Sequence, residues 1–151
     1  MQKIHFSIFI TVPKERVWAT MLDLEMYKEW TKAFSPGSSF KGKWEEGEKM
    51  LFIGPDPQTG EEGGMVSYIK EFKPHEFISI MHVGIFKNGV EDTESVEAKK
   101  WSPSYENYTF KEIGTGTELS IDMEVPEEYA TMFDTTWPTA LQALKDLAER
   151  P

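Results

Sequence analysis

The sequence predicts an α+β fold in which a curved antiparallel sheet of about six strands wraps around one long C-terminal helix. The chain opens on alternating apolar and polar residues, continues with a β-rich middle region, and closes on apolar residues that recur every three or four positions. A sheet that curves around a long amphipathic helix buries the apolar face of both. We expect all 151 residues, 1–151, to form a single domain.

The first strand is followed by two short helices. Apolar residues occupy every second position over residues 4–12, and Pro13 then ends the strand. The apolar spacing changes to three and four residues over 17–22 and to three over 24–30. Both spacings are typical of short amphipathic helices, so the sequence predicts two helices between the first and second strands.

The middle of the chain predicts most of the sheet. The Gly- and Pro-rich segment 54–64 is expected to be a mobile loop, and 90–103 an irregular polar connection. Strands are expected where β-branched and aromatic residues stand between turn signals, at 38–44, 49–53, 65–72, 77–86, 105–113 and 119–125.

Residues 127–150 predict the long closing helix, because their apolar members recur every three or four positions. Pro138 lies inside this pattern. Proline removes one helical N–H and crowds the preceding turn. We therefore expect a kink or a helix start near Pro138, with Thr135 or Thr136 available as the cap.

Charge and composition argue against several kinds of site. The net charge of −10 disfavours binding to nucleic acids or anionic membranes. The absence of cysteine excludes disulfides, thiol nucleophiles and Cys-ligated metals. There is no GxSxG, no HExxH and no apolar run long enough to cross a bilayer. We expect a cytoplasmic protein with no membrane span, no nucleic-acid partner, no metal site and no cofactor.

Several strings, in their order and spacing, resemble one superfamily. They are VPKERVWATMLD followed by YKEW, then GEKMLF, MVSYIKEFKPHEF, ENYTFKEIGTGTELSIDMEV and TWPTALQALKDLAE, and together they span nearly the whole chain. The chain resembles the START-like (SRPBCC) superfamily, with its helix-grip fold. More closely it resembles the group related to the activator of heat-shock-protein-90 ATPase. The resemblance implies a cavity between the sheet and the C-terminal helix, where many members hold lipids, hormones or polyketides.

The candidate site is the wall of such a cavity. Glu106 shares strand parity with Tyr108 and Phe110, so it faces inward if they do; the alternative places it at the solvated end of its strand. No residue is assigned as catalytic, although Glu106 is the candidate if the protein is an enzyme. His82 is expected to be a satisfied core or surface histidine. The expected ligand-binding residues are Trp30, Phe34, Phe40, Trp44, Phe52, Glu106, Tyr108, Phe110, Phe133, Trp137 and Leu141.

Three functions are compatible with this cavity. The first, which we favour, is non-enzymatic binding of an apolar small molecule, lipid-like or aromatic. The second is a protein-binding module that stimulates a chaperone ATPase, with the chaperone as its partner. The third is an enzyme of the cyclase or hydratase kind that uses an inward carboxylate. The resemblance implies the fold more directly than the activity, because one fold carries many functions.

Overall fold

The computed structural model describes residues 1–56 and 59–151. Over these ranges it contains eight strands and four α-helices. In chain order the elements are β1 (Gln2–Ile10), α1 (Lys14–Leu22), α2 (Leu24–Trp30), a 3-10 turn (Thr31–Ala33), β2 (Ser39–Gly42), β3 (Lys49–Pro55), β4 (Glu62–Lys73), β5 (Phe77–Lys87), β6 (Val90–Asp92), α3 (Val96–Trp101), β7 (Ser104–Ile113), β8 (Gly116–Val125) and α4 (Glu127–Ala148).

The strands form one antiparallel sheet in the order β1-β8-β7-β5-β4-β3-β2, and β6 pairs with the last residues of β5. The predicted α+β class is confirmed, as are the two short helices after β1 and the long C-terminal helix. The described residues give eight strands rather than about six. The strand without a predicted counterpart, β6, is three residues long, which is too short to show a period in the sequence.

The core lies between α4 and one face of the sheet. On β8 every second residue from Leu119 to Val125 is buried, while the residues between them are more exposed. This alternation turns one side of the strand toward α4. The facing side of α4 carries a stripe of buried residues at spacings of three and four: Trp137, Ala140, Leu141, Leu144 and Ala148.

The helix α4 continues through Pro138, so the expected helix start at this position is wrong. Thr135 and Thr136 do not cap a helix; their hydroxyls donate to the carbonyl of Met132 within α4, at 3.5 and 3.0 Å. The apolar stripe that begins at Trp137 packs against the sheet on one continuous face. This burial offsets the hydrogen bond that proline removes, because tertiary packing stabilises most helices in proteins.

Two segments expected to be irregular contain regular structure. β3 and β4 extend into both ends of the expected loop 54–64, whose residues 57 and 58 lie outside the described residues. The segment 90–103 holds β6 and α3. Ser95 begins α3 as its N-cap, since its hydroxyl accepts the N–H of Ala98 at 3.1 Å. With six residues, α3 is too short to show a helical period in the sequence.

Candidate functional site

A cavity of about 330 Å³ lies between α2, α4 and the central strands of the sheet. This volume is at the lower end of the range found for small-molecule sites, about 300–1,000 Å³. Eight of its 21 described lining residues are aromatic: Tyr27, Trp30, Phe34, Phe52, Trp101, Tyr108, Phe133 and Trp137.

Trp137 is the centre of this aromatic wall. Its ring lies 4.8 Å from that of Phe34, 6.1 Å from that of Tyr108 and 6.3 Å from that of Trp30, measured between centroids. The indole N–H donates to Sδ of Met123 at 3.1 Å. The one polar atom of the indole is therefore satisfied inside the protein, and the ring offers an apolar surface to the cavity.

α2 closes one end of the cavity. Asp23 caps this helix, because its carboxylate accepts the N–H of Met26 at 3.1 Å. The helix then presents Tyr27 and Trp30 to the cavity. The indole N–H of Trp30 donates to the carbonyl of Met21 on α1 at 3.2 Å, so the two short helices hold this ring in place.

One carboxylate enters the aromatic wall. The side chain of Glu106, on β7, is 16% exposed. Its Oε1 lies 3.0 Å from Nε2 of His82, and its Oε2 accepts a hydrogen bond from the hydroxyl of Tyr108. On the far side of the imidazole, Nδ1 of His82 lies 2.6 Å from Oγ of Ser67. The four side chains form one hydrogen-bonded chain that runs from the core to the cavity.

The sheet register brings these four residues together. β4, β5 and β7 are neighbours, and Ser67 on β4 lies directly opposite His82 on β5. A register shift between Val66 and Ser67 sets this pairing, as β-bulges commonly do near functional sites. On β7, Glu106 pairs with Ile80 and therefore reaches His82 along the diagonal.

The local environment keeps the two tyrosines of the lining protonated. Burial, and then the charge of Glu106, raise the pKa of Tyr108 well above its ordinary value of 10.0. The same two causes raise the pKa of Tyr27. Tyr108 is therefore a hydrogen-bond donor at every physiological pH, and it donates to the carboxylate.

The wall opposite the aromatic rings is partly bare backbone. Gly54, Gly63 and Gly64, on β3 and β4, line the cavity without side chains. Gly64 has a φ of 152°, and a Cβ built on it would lie 1.8 Å from the carbonyl oxygen of Phe52. Any side chain at this position would force β3 and β4 apart, so glycine is required for the close approach.

The structure brings most of the predicted site residues to the cavity. Glu106 is within the paired part of β7, which begins at Ser104, and it lines the cavity, so the alternative of a solvated strand end is wrong. The predicted residues that line the cavity are Trp30, Phe34, Phe52, Glu106, Tyr108, Phe133 and Trp137.

Phe40, Trp44, Phe110 and Leu141 lie outside the lining. Phe40 and Trp44 pack against each other behind the wall, with ring centroids 5.3 Å apart. Phe110 lies two residues beyond Tyr108 on the same face of β7 and packs on Trp18 of α1, at 5.2 Å. Leu141 lies one turn beyond Trp137, among the buried residues of α4.

Several lining residues were not predicted. His82 is a satisfied core histidine, as expected, but it also lines the cavity. Trp101 reaches the wall from α3, a helix that the sequence did not indicate. Tyr27 was visible as part of the apolar spacing of α2, which shows that a side chain is inward but not that it borders open space.

Two further kinds of feature are not found in the part of the chain that the structure describes. No group of three or more His, Asp or Glu side chains is placed to hold a metal ion. None of the helices in residues 1–56 and 59–151 has the length and apolar character needed to cross a bilayer.

Comparison with known proteins identifies the family and the fold. The family model described as Activator of Hsp90 ATPase homolog 1-like protein matches residues 11–149. Protein CV1439 from Chromobacterium violaceum has a similar structure, with a TM-score of 0.73 and 22% identity over 99% of this chain and 98% of that one. The AHSA1-like protein from Aeromonas hydrophila has a TM-score of 0.70 and 12% identity, over 98% of this chain and 92% of that one. At these identities the likeness shows the fold alone, and no curated protein matches the sequence significantly.

Proposed function

We propose that this chain, which belongs to the family of activator of Hsp90 ATPase homolog 1-like proteins, binds an apolar small molecule, lipid-like or aromatic, in the cavity beside α4. The main support is the cavity itself, about 330 Å³ of space with eight aromatic residues in the described part of its lining. Protein interiors are close-packed and keep few voids. A space of this size leaves its lining without partner atoms, and an apolar occupant restores those contacts.

The size and opening of the cavity favour a compact ligand. Its volume is near the lower limit for small-molecule sites, which suits a fused-ring compound better than a long acyl chain. Met132 on α4 lines the cavity yet is 51% exposed, so it marks the side that is open to solvent. A ligand can enter there without unfolding the sheet.

A direct test uses 2-methylnaphthalene as an apolar probe. Trp30, Trp101 and Trp137 line the cavity, so we expect binding to change the tryptophan fluorescence. Thr136→Phe places a ring inside the lining and should block the probe. Thr139→Phe adds the same ring at an exposed position of α4 and should leave binding unchanged. Absence of probe binding to the unmodified protein, or equal binding to both variants, would contradict the proposal.

The position of Glu106 favours a second candidate function, an enzyme of the cyclase or hydratase kind. The carboxylate faces an apolar cavity and is oriented by His82 and Tyr108, which is a common setting for a general base. Compounds that copurify with Glu106→Gln should then change in mass or in chromatographic retention on incubation with the native chain, but not with the variant. Compounds recovered unchanged from both would support binding without chemistry.

A further inference from the structure

We infer that the cavity takes a ligand whose apolar body ends in a protonated amine carrying at least one N–H. This rests on the proposed function and adds the chemistry of the ligand's polar end. Three independent features lead to it: the charge of the lining, the unused acceptor capacity of Glu106, and the aromatic faces around that carboxylate.

The lining carries one negative charge and no compensating positive one. Among the described residues that line the cavity there is no Lys or Arg, and Glu106 is the one acidic side chain. Among the residues that the structure describes, the one nitrogen base hydrogen-bonded to it is the imidazole of His82. The charge state of this ring therefore decides whether the carboxylate is neutralised.

We take the His82 ring as neutral, because that form gives the buried hydroxyl of Ser67 an acceptor. Ser67 is fully buried, and in the described structure its hydroxyl has one partner, Nδ1 of His82. A buried hydroxyl hydrogen without an acceptor is costly, so Ser67 donates and Nδ1 accepts. A neutral imidazole then carries its hydrogen on Nε2, which donates to Glu106. With a neutral imidazole, both bonds to the carboxylate come from neutral groups, and its charge is left unpaired.

Glu106 also has acceptor positions to spare. A carboxylate offers about four lone-pair sites, and two are taken by Nε2 of His82 and the hydroxyl of Tyr108. The side chain lines the cavity and is 16% exposed, so it can use the remaining sites to bind a ligand there. A purely apolar ligand would desolvate them without replacing the lost hydrogen bonds, at a cost that an N–H donor avoids.

The surroundings of the carboxylate are suited to a cation. The rings of Phe52, Tyr108 and Trp137 line the same cavity as Glu106. Aromatic faces attract cations within about 6 Å of the ring centroid. The net charge of −10 adds a field of the same sign, which raises the local concentration of cations and lowers that of anions.

The experiment compares three probes that share one naphthalene ring: the cation 2-naphthylmethylamine, the neutral 2-naphthylmethanol and the anion 2-naphthoate. Titration calorimetry on the unmodified protein at pH 7 should show the amine binding about tenfold more tightly than the alcohol, and the naphthoate most weakly. If 2-methylnaphthalene and the alcohol bind but the amine binds no better, this inference fails and the proposed function stands. If none of the probes binds, both fail.

Two charge-matched variants locate the effect. Glu106→Gln keeps the shape and one acceptor but removes the charge, so it should abolish the preference for the amine over the alcohol. Glu112→Gln makes the same change in net charge at an exposed position near the end of β7 and should keep the preference. An equal loss in both variants would assign the preference to the overall field and overturn the inference. The probe series on the unmodified chain decides the question even if Glu106→Gln folds poorly.

Discussion

The substitution Tyr108→Phe removes one hydroxyl and keeps the buried ring, so it isolates the hydrogen bond to Oε2 of Glu106. A hydrogen bond to a charged group contributes about 1.5–3 kcal/mol to the free energy of unfolding. Glu106 borders an open cavity, so water can replace part of the lost donor. We therefore expect the variant to be less stable by about 1.5 kcal/mol at pH 7, the lower end of this range.

The stability difference between the unmodified protein and Tyr108→Phe should become smaller at alkaline pH. Burial, and then the charge of Glu106, raise the pKa of Tyr108 in the native state well above 10.0, whereas the unfolded chain ionises near its ordinary value. Above pH 10 the unfolded state loses a proton that the native state keeps. The stability contributed by Tyr108 is therefore fully present below pH 10 and is lost as the pH rises. The gap between the two proteins should close by about 1 kcal/mol from pH 10 to pH 11.

Urea unfolding, followed by far-UV circular dichroism at pH 7, 10 and 11, measures both effects. Tyr105→Phe is the matched control, because Tyr105 lies on the same strand and faces the other side of the sheet. A gap for Tyr108→Phe that stays constant from pH 7 to pH 11 would refute the reasoning. It would show that the Tyr108 hydroxyl ionises as readily in the native state as in the unfolded chain. If Tyr105→Phe loses as much stability at pH 7, the loss cannot be assigned to the hydrogen bond with Glu106.

Three further substitutions test the packing and the charges. In urea unfolding, Gly64→Ala should lower the free energy of unfolding by more than about 2 kcal/mol. Gly47→Ala should lower it by only about 1 kcal/mol, because Gly47 has a φ of 85° but no atom within 4 Å of an added Cβ. Glu149→Gln should destabilise at pH 7 but not near pH 2 in thermal melts. Hydrogen bonds, first from Lys145 and then from Thr11, lower the pKa of Glu149 from 4.5 to about 2. The stability that Glu149 contributes is therefore lost as the pH falls through that window. Trp137→Ala should lower the free energy of unfolding, measured in urea, by about 3–5 kcal/mol, since the buried ring contacts other aromatic rings of the wall.

Most of the fold was predictable because its main elements are long enough to show their period. β1, β8 and α4 each repeat one spacing over nine or more residues, and each was predicted. The six residues of α3 and the three of β6 are too few to do so. At Pro138 the local rule gave the wrong helix start, because packing of α4 against the sheet outweighs the intrinsic preference of one residue.

For the candidate site, the sequence predicts which face of the sheet a residue lies on, but not whether that residue borders the open cavity. Strand parity indicates which face a residue occupies, and it correctly turned Glu106, Tyr108 and Phe110 inward. Parity does not indicate where along the strand the core ends and open space begins. Glu106 and Tyr108 therefore line the cavity, while Phe110 on the same face is covered by Trp18.

His82 shows why a well-satisfied core residue can still determine what a site does. Its two hydrogen bonds make it an ordinary buried histidine, and they also make Glu106 an oriented anion at the edge of an apolar cavity. The partners come from three different strands, and Ser67 meets His82 across a register shift in β4. No spacing within one strand reports such a shift, because it depends on how two strands pair. The inward parity of Glu106 and the apolar strand around His82 were therefore visible separately, and only the paired sheet shows them to be one unit.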